Sequence, residues 1–425
     1  MGRYKKMRIN EERNRVVITS VGAVSPFGFG VEKMMEGLYS GKSSVKNMKA
    51  VWEEEINDLN SWVGAPLVEQ LDVKLIHRKL RKTMGRVSIL AVSAVKEAVE
   101  FSNLPVSIIE SGRVGVCFGS STGSISSIQG NIWKNYSQKS LHEMPAGTFF
   151  QIMSHTCAAN IARYFNIRGR VISSDCACSS AAQAIGIGYE TIKNGIQDIM
   201  LCGGADELHP ITNAIFDSLN AASWKFNDTP NLTPRPFDRE RDGTVCSDGA
   251  GCVILESLDS ALSRGADILG EIIGFSTLSS GRSIANSDLD SIVFCIKNGL
   301  ADAGVDPSVI GYINAHATGT IVGDSSEAGA IRQVFGGSVP VSSLKGHLGH
   351  TLGASAALEV IASLRMMKDG KIIPTKNLDC PPEDCSGINH IVKQEDIGFN
   401  MFVKNSFGFG GINSVLIIKE LLFDE

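Results

Sequence analysis

Long apolar runs are missing from this chain. No uninterrupted stretch approaches the roughly 18 residues that a membrane-spanning helix needs, which excludes a helical membrane span. An excess of positive charge is missing too. Lysine and arginine number 40 against 45 aspartates and glutamates, which argues against a general nucleic-acid binder. Metal-ligand spacing is also absent. Cys176 and Cys178 form a C-x-C, but no second pair of cysteines or histidines stands at zinc-finger distance, and Cys380 and Cys385 lie in a Pro/Asp-rich loop. No metal site is therefore expected. The first fifteen residues, MGRYKKMRINEERNR, are charged throughout and lack the apolar core of a signal peptide. The ten cysteines are accordingly expected to be reduced, in the cytoplasm. Aromatics are scarce at 7%, whereas glycines number 44. That balance fits a compact α/β enzyme with many tight turns.

The most informative segment is SSDCACSSAAQAIG, residues 173–186. A strand-like RVIS precedes it, and small and apolar residues at helical spacing follow (Ala181, Ala182, Ala184, Ile185, Tyr189, Ile192). Cys178 thus stands where a strand gives way to a buried helix. The partial positive charge at a helix N-terminus favours an anion, so the Cys178 pKa is expected to fall below neutrality.

The remaining chain alternates strands and helices. Residues 15–19, 113–120, 198–206 and 249–257 read as strands, with a helix over 88–101. A second series begins near residue 271: strands at 271–275, 312–317 and 340–345, helices over 288–303, 325–335 and 353–367, and a closing hairpin around FGFGG. This alternation predicts largely parallel sheets covered on both faces, in two similarly built halves. The expected division is a leader over residues 1–14, a half over 15–265 that carries the nucleophile, and a half over 266–425. The site is expected where the halves meet.

Three clusters in the second half supply what a thiolate needs. NAHATGTIVGDSSE places His316 at a strand end, followed by Thr318, Thr320, Asp324 and Glu327. SSLKGHLGHTLGAS places Lys345 at another strand end and His350 shortly before a helix. The third is the turn Phe407-Gly408-Phe409-Gly410-Gly411. Parallel strands deliver such groups to one crevice at their carboxyl ends.

Together these segments resemble the elongating β-ketoacyl-acyl-carrier-protein synthases, condensing enzymes of the FabF and FabB kind. The resemblance runs from residue 15 to about residue 419. It rests on CACSS at Cys178, H-x-T-x-T with G-D and E at His316, Thr318, Thr320, Gly323, Asp324 and Glu327, K-x-x-x-G-H at Lys345 and His350, and NSFGFGG at residues 405–411. It implies a thiolase-like fold, two βαβ-type halves in a five-layered α-β-α-β-α core.

The resemblance also implies a reaction. Cys178 would hold the acyl group, with the amides of Cys178 and Phe409 as the oxyanion hole. His316 and His350 would promote decarboxylation of malonyl-carrier. Lys345, supported by Glu327, would hold the local charge, and Asp324 would act behind it. Thr318 and Thr320 match positions that bind the pantetheine arm. Phe409 matches the gate that moves when the acyl chain enters, Phe407 stands with it among the substrate-binding positions, and Thr122 matches a position lining the acyl pocket. HRKLRKTMGR, residues 77–86, reads as a helix whose Arg78, Arg81, Lys82 and Arg86 would dock an acidic acyl carrier protein. No cofactor beyond the carrier's phosphopantetheine is implied. The family's monovalent-cation site would comprise Asn314, Glu359 and Asn405, but Lys404 stands beside them and a lysine ammonium takes a cation's place. His347 is expected to be structural. The resemblance further implies a homodimer, or a heterodimer with a ketosynthase paralogue. The alternatives are a non-catalytic partner like the chain-length factors, which lose the nucleophile, and a coenzyme A-dependent thiolase, which carries a second catalytic cysteine near its C-terminus.

Overall fold

The computed structural model describes residues 14–71, 73–285 and 288–422, so the leader expected over residues 1–14 lies, but for Asn14, outside the described residues. The first half runs β1 (Val16–Ser25), α1 (Arg86–Ser102), β2 (Val114–Gly119), α2 (Thr156–Tyr164), β3 (Val171–Ile172), α3 (Ser180–Lys193), β4 (Ile199–Asp206) and β5 (Gly249–Ser257). The second runs β6 (Gly270–Ser279), α4 (Leu289–Ala303), β7 (Tyr312–Asn314), α5 (Ile321–Phe335), β8 (Pro340–Ser342), α6 (Lys345–Leu348), α7 (Ser355–Asp369), β9 (Asn389–His390), β10 (Met401–Gly408) and β11 (Ile412–Lys419).

The strands form one continuous sheet in the order β9-β8-β7-β10-β11-β6-β1-β5-β4-β2-β3. Its halves repeat one pattern. In β1-β5-β4-β2-β3 the first two pairings are antiparallel and the last two parallel. The order β6-β11-β10-β7-β8 does the same. The halves join where β1 meets β6 antiparallel, with Val16 opposite Ile272. The expectation of largely parallel sheets is corrected here. The turn at Gly410 and Gly411, both at positive φ, is too tight for a crossover and forces β10 and β11 antiparallel. Residues 207–248 likewise return the chain to β5 without a long covering helix.

Helices α1 and α2 cover the outer face of the first half and α4 and α5 that of the second, while α3 and α7 lie between the halves. This is the five-layered arrangement. The small residues of α3 allow a helix to fit there. A β-carbon on Gly186 would fall 2.1 Å from the Phe275 ring, and one on Gly188 2.3 Å from the Cys202 sulfur. The central core accordingly joins residues of both halves, Ala181, Ile185 and Cys202 with Leu358, Ile361 and Leu416. Strand β4 is buried along its whole length, which explains why it reads as a continuous apolar run.

Two local expectations change. Residues 77–86 are not one helix: a single turn spans Arg78–Arg81, capped by His77, and α1 begins at Arg86. Strand β8 ends at Ser342, so Lys345 opens the short helix α6 rather than ending a strand.

Candidate active site

Cys178 sits in a single 3-10 turn, Ala177–Ser179, directly before α3. Ala177 holds φ at 49°, a left-handed conformation that costs about 1–2 kcal/mol for a residue with a β-carbon. The turn is clamped by the terminal hairpin. Ser179 Oγ donates to the carbonyls of Ser406 and Ile412, both at 3.1 Å, and Ser406 Oγ donates to the Cys178 carbonyl at 3.3 Å. The backbone amides of Cys178 and Phe409 both donate toward the Cys178 sulfur. An acyl oxygen on that sulfur would meet the same pair of amides.

His316 follows β7, and its backbone amide donates to Glu327 Oε1 at 2.8 Å, while Ala317 donates to Oε2 at 2.7 Å. His350 is held from the first half, its amide donating to the Val245 carbonyl at 2.7 Å. The two imidazoles meet edge to face with ring centres 5.4 Å apart, and Phe407 packs on His316 at 5.8 Å. Among the described residues, Nδ1 of His316 and both ring nitrogens of His350 are buried without a hydrogen-bond partner. Burial, reinforced by the charges of Lys345 and Lys404, pushes both imidazoles well below their ordinary pKa. They are therefore neutral, with free nitrogens available to a ligand.

Cys178, His316, His350, Thr318, Thr320, Phe407 and Phe409 all line one cavity of about 460 Å³. Asp324 and Glu327 form part of its floor. Asp324 accepts from the amides of Thr318, Gly319 and Phe237, so it shapes the threonine loop. Burial raises its carboxyl to about 7, and burial raises that of Glu327 as well.

Several sequence expectations need correction. The Cys178 thiol is not lowered below neutrality. Complete burial pushes it up to about 12, and the charge of Lys345 and the two amides offset this only in part. The helix-terminus effect, worth about 0.3–2 kcal/mol, is smaller than the desolvation of a fully buried thiolate. Lys345 is not supported by Glu327. Its Nζ lies 2.6 Å from Glu359 Oε1, and both side chains are buried. Thr122 is exposed on the loop after β2 and does not line the cavity within the single chain. In the basic segment, Arg78 and Lys82 are exposed. Arg81 donates to the Val73 carbonyl at 2.6 Å, and Arg86 is ion-paired with buried Asp248 at 2.8 Å. His347 bridges the carbonyls of Lys42 and Pro374, away from the cavity.

The residues expected to surround a monovalent cation do not fit one. Lys404 is fully buried, with Nζ 2.8 Å from Glu359 Oε2, and it donates to the Asn405 carbonyl. The ammonium occupies the Glu359 carboxylate and the Asn405 main-chain carbonyl, while the side-chain oxygens of Asn314 and Asn405 find no hydrogen-bond partner among the described residues. The sequence reading also missed Phe216, whose ring stacks on Phe409 with centres 5.5 Å apart. One phenylalanine in an amphipathic helix carries no signal of that contact.

Solved structures share the fold, and curated proteins share about a third of the sequence. The chain matches the family models for the beta-ketoacyl synthase N-terminal domain over residues 13–261 and C-terminal domain over residues 269–379. It is 35% identical over 412 residues to 3-oxoacyl-[acyl-carrier-protein] synthase 1 of Escherichia coli, covering 96% of this chain and 99% of that protein. A beta-ketoacyl synthase crystal structure from Burkholderia phymatum superposes with a TM-score of 0.92 and 37% identity, covering 96% of this chain and all of that one. A type II polyketide ketosynthase, solved in complex with its acyl-carrier protein and bound to the hexaketide, superposes at 0.87 with 27% identity and the same coverage. The chain belongs to the β-ketoacyl synthase family, acyltransferases that make 3-oxoacyl thioesters on a carrier protein.

Proposed function

We propose that Cys178, His316 and His350 carry out a decarboxylative condensation within the one cavity, with Lys345 maintaining the charge beside them. The observation that carries this reading is the set of imidazole nitrogens, without a partner among the described residues, on the wall that also holds the Cys178 sulfur. In the first stage the Cys178 thiol attacks an acyl thioester. The carbonyl oxygen develops negative charge at the amides of Cys178 and Phe409, and the carrier leaves as a thiol. Because burial holds Cys178 protonated, its proton departs during the attack rather than before it.

In the second stage a malonyl thioester enters. Neutral His316 and His350 donate to its thioester carbonyl, so that loss of carbon dioxide leaves a stabilised enolate. The enolate carbon bonds to the acyl carbon, the carbon–sulfur bond to Cys178 breaks, and the thiolate is reprotonated. The product is a 3-oxoacyl thioester two carbons longer.

The carrier's phosphopantetheine arm would run past Thr318 and Thr320, whose hydroxyls lie 3.1 Å apart at the cavity wall. Arg78 and Lys82 would meet an acidic carrier protein, in the manner of the relative solved with its carrier. A second copy of the chain would cover the edge strand β3 and the exposed Trp133, Tyr136, Phe149 and Phe150. The unpaired cysteines fit a reducing cytoplasm.

The test is to incubate the protein and its Cys178→Ala variant with malonyl-carrier and a panel of acyl-carriers and to read product masses. The reading expects elongated 3-oxoacyl products from the parent and none from the folded variant. Full condensation by Cys178→Ala would overturn it.

A further inference from the structure

Lys404 is a lysine in the middle of β10 with no solvent exposure, a placement that demands compensation. It shares one carboxylate with another buried lysine. Glu359 takes Lys345 on Oε1 at 2.6 Å and Lys404 on Oε2 at 2.8 Å. Neutralising Lys345 needs only one carboxylate, so the second ammonium is an additional feature of this site. It reaches further through its neighbour: Lys404 donates to the Asn405 carbonyl, and Asn405 Nδ2 donates to Glu327 Oε1 at 2.9 Å. Glu327 in turn holds the amides of His316 and Ala317.

We infer that the Lys404 ammonium is a built-in cation that replaces a bound ion and acts as a positioning residue for the decarboxylating histidines. This rests on the assignment of His316 and His350 proposed above. The ammonium ties β10 to α7 through Glu359, and the Asn405–Glu327 link ties β10 to α5 and the His316 backbone. Its charge also matters. The groups facing Lys404 are Glu359 from α7, Lys345 from α6 and Glu327 from α5, with His316 and His350 close enough to respond to it. Two ammoniums balance two carboxylates, so removing Lys404 leaves Glu359 shared by nothing but Lys345 and unties β10 from α7. Glu359 bears out the coupling: burial acts to raise its carboxyl, yet the two lysines hold it below the ordinary range.

The experiment uses the full chain and two separate readouts: carbon dioxide release from malonyl-carrier, and acylation of Cys178 by a hexanoyl-carrier followed by intact mass. Lys404→Met is expected to slow decarboxylation by about tenfold or more, because each ~1.4 kcal/mol of transition-state positioning lost is tenfold in rate. Acylation should be largely retained. In Lys404→Ala, methylammonium or potassium ion is expected to restore decarboxylation, while the bulkier tetramethylammonium does not. A parental decarboxylation rate in Lys404→Met would overturn the inference. So would equal loss of both steps in Lys404→Ala that neither small cation restores, which marks Lys404 as a structural residue only. His350→Ala is the control. If it keeps full decarboxylation, the histidine assignment fails; if it loses decarboxylation while Lys404→Met does not, only the inference about Lys404 fails.

Discussion

The ring of Phe216 stacks on that of Phe409 with centres 5.5 Å apart and planes inclined by 26°, in the same apolar cluster as Cys178. Any movement of Phe409 away from the nucleophile must break this stack, worth about 0.5–1.5 kcal/mol. Phe216→Ala is therefore expected to speed acylation of Cys178 several-fold in a single-turnover assay. Slower acylation would show that Phe216 chiefly supports the incoming arm.

Gly408 gives the sharpest steric prediction. A β-carbon there would lie 2.9 Å from the Cys176 carbonyl oxygen and 3.2 Å from the Ser179 amide. Both are backbone atoms that cannot rotate away. Gly408→Ala is expected to push the hairpin off the nucleophile's turn, costing about 1–3 kcal/mol in stability. Displacing the Phe409 amide should lower acylation about a hundredfold. A melting curve and a burst assay read the two effects separately.

Stability should fall as pH rises toward neutrality. Burial raises the Asp324 carboxyl to about 7, above its unfolded value near 3.9. Between those values the folded state binds the proton that the unfolded state has lost. The associated stability is complete below the unfolded pKa and is lost as pH rises through about 7. Asp206 and Glu327, also raised by burial, act in the same direction. Melting temperatures are expected to decline across this range, and Asp324→Asn to flatten the decline. An equal slope in parent and variant would remove Asp324 from the explanation.

The basic segment should divide into two functions. Neutralising exposed Arg78 and Lys82 is expected to weaken carrier binding and reduce its salt dependence while the melting temperature stays constant. Arg86→Ala leaves buried Asp248 without its ion pair, although the amides of Leu67 and Leu208 still donate to it. A loss of about 1–3 kcal/mol is expected there. Equal effects on binding from all these positions would mean that Arg86 is released when the carrier docks.

The site was legible to the extent that it depends on local chain chemistry. Cys178 before a small-residue helix, His316 after a strand, the HLGH segment and the glycine hairpin all carry their signal within a few residues, and the structure brings them to one cavity. The repeated strand–helix alternation likewise announced two halves. Strand direction was misread because the return from β4 to β5 depends on how 42 intervening residues, 207–248, pack, which no periodicity records.

By itself the sequence determined which groups are present: a nucleophile, two histidines, two lysines and the carboxylates to balance them. Only the tertiary structure decided who pairs with whom and in what protonation state. Glu359, not Glu327, neutralises Lys345, and it binds Lys404 as well. The Cys178 thiol is raised rather than lowered. Both outcomes have one physical cause. The energy of a charge depends on how much water and which partners surround it, and burial between the two halves is a property of the assembled layers rather than of any segment.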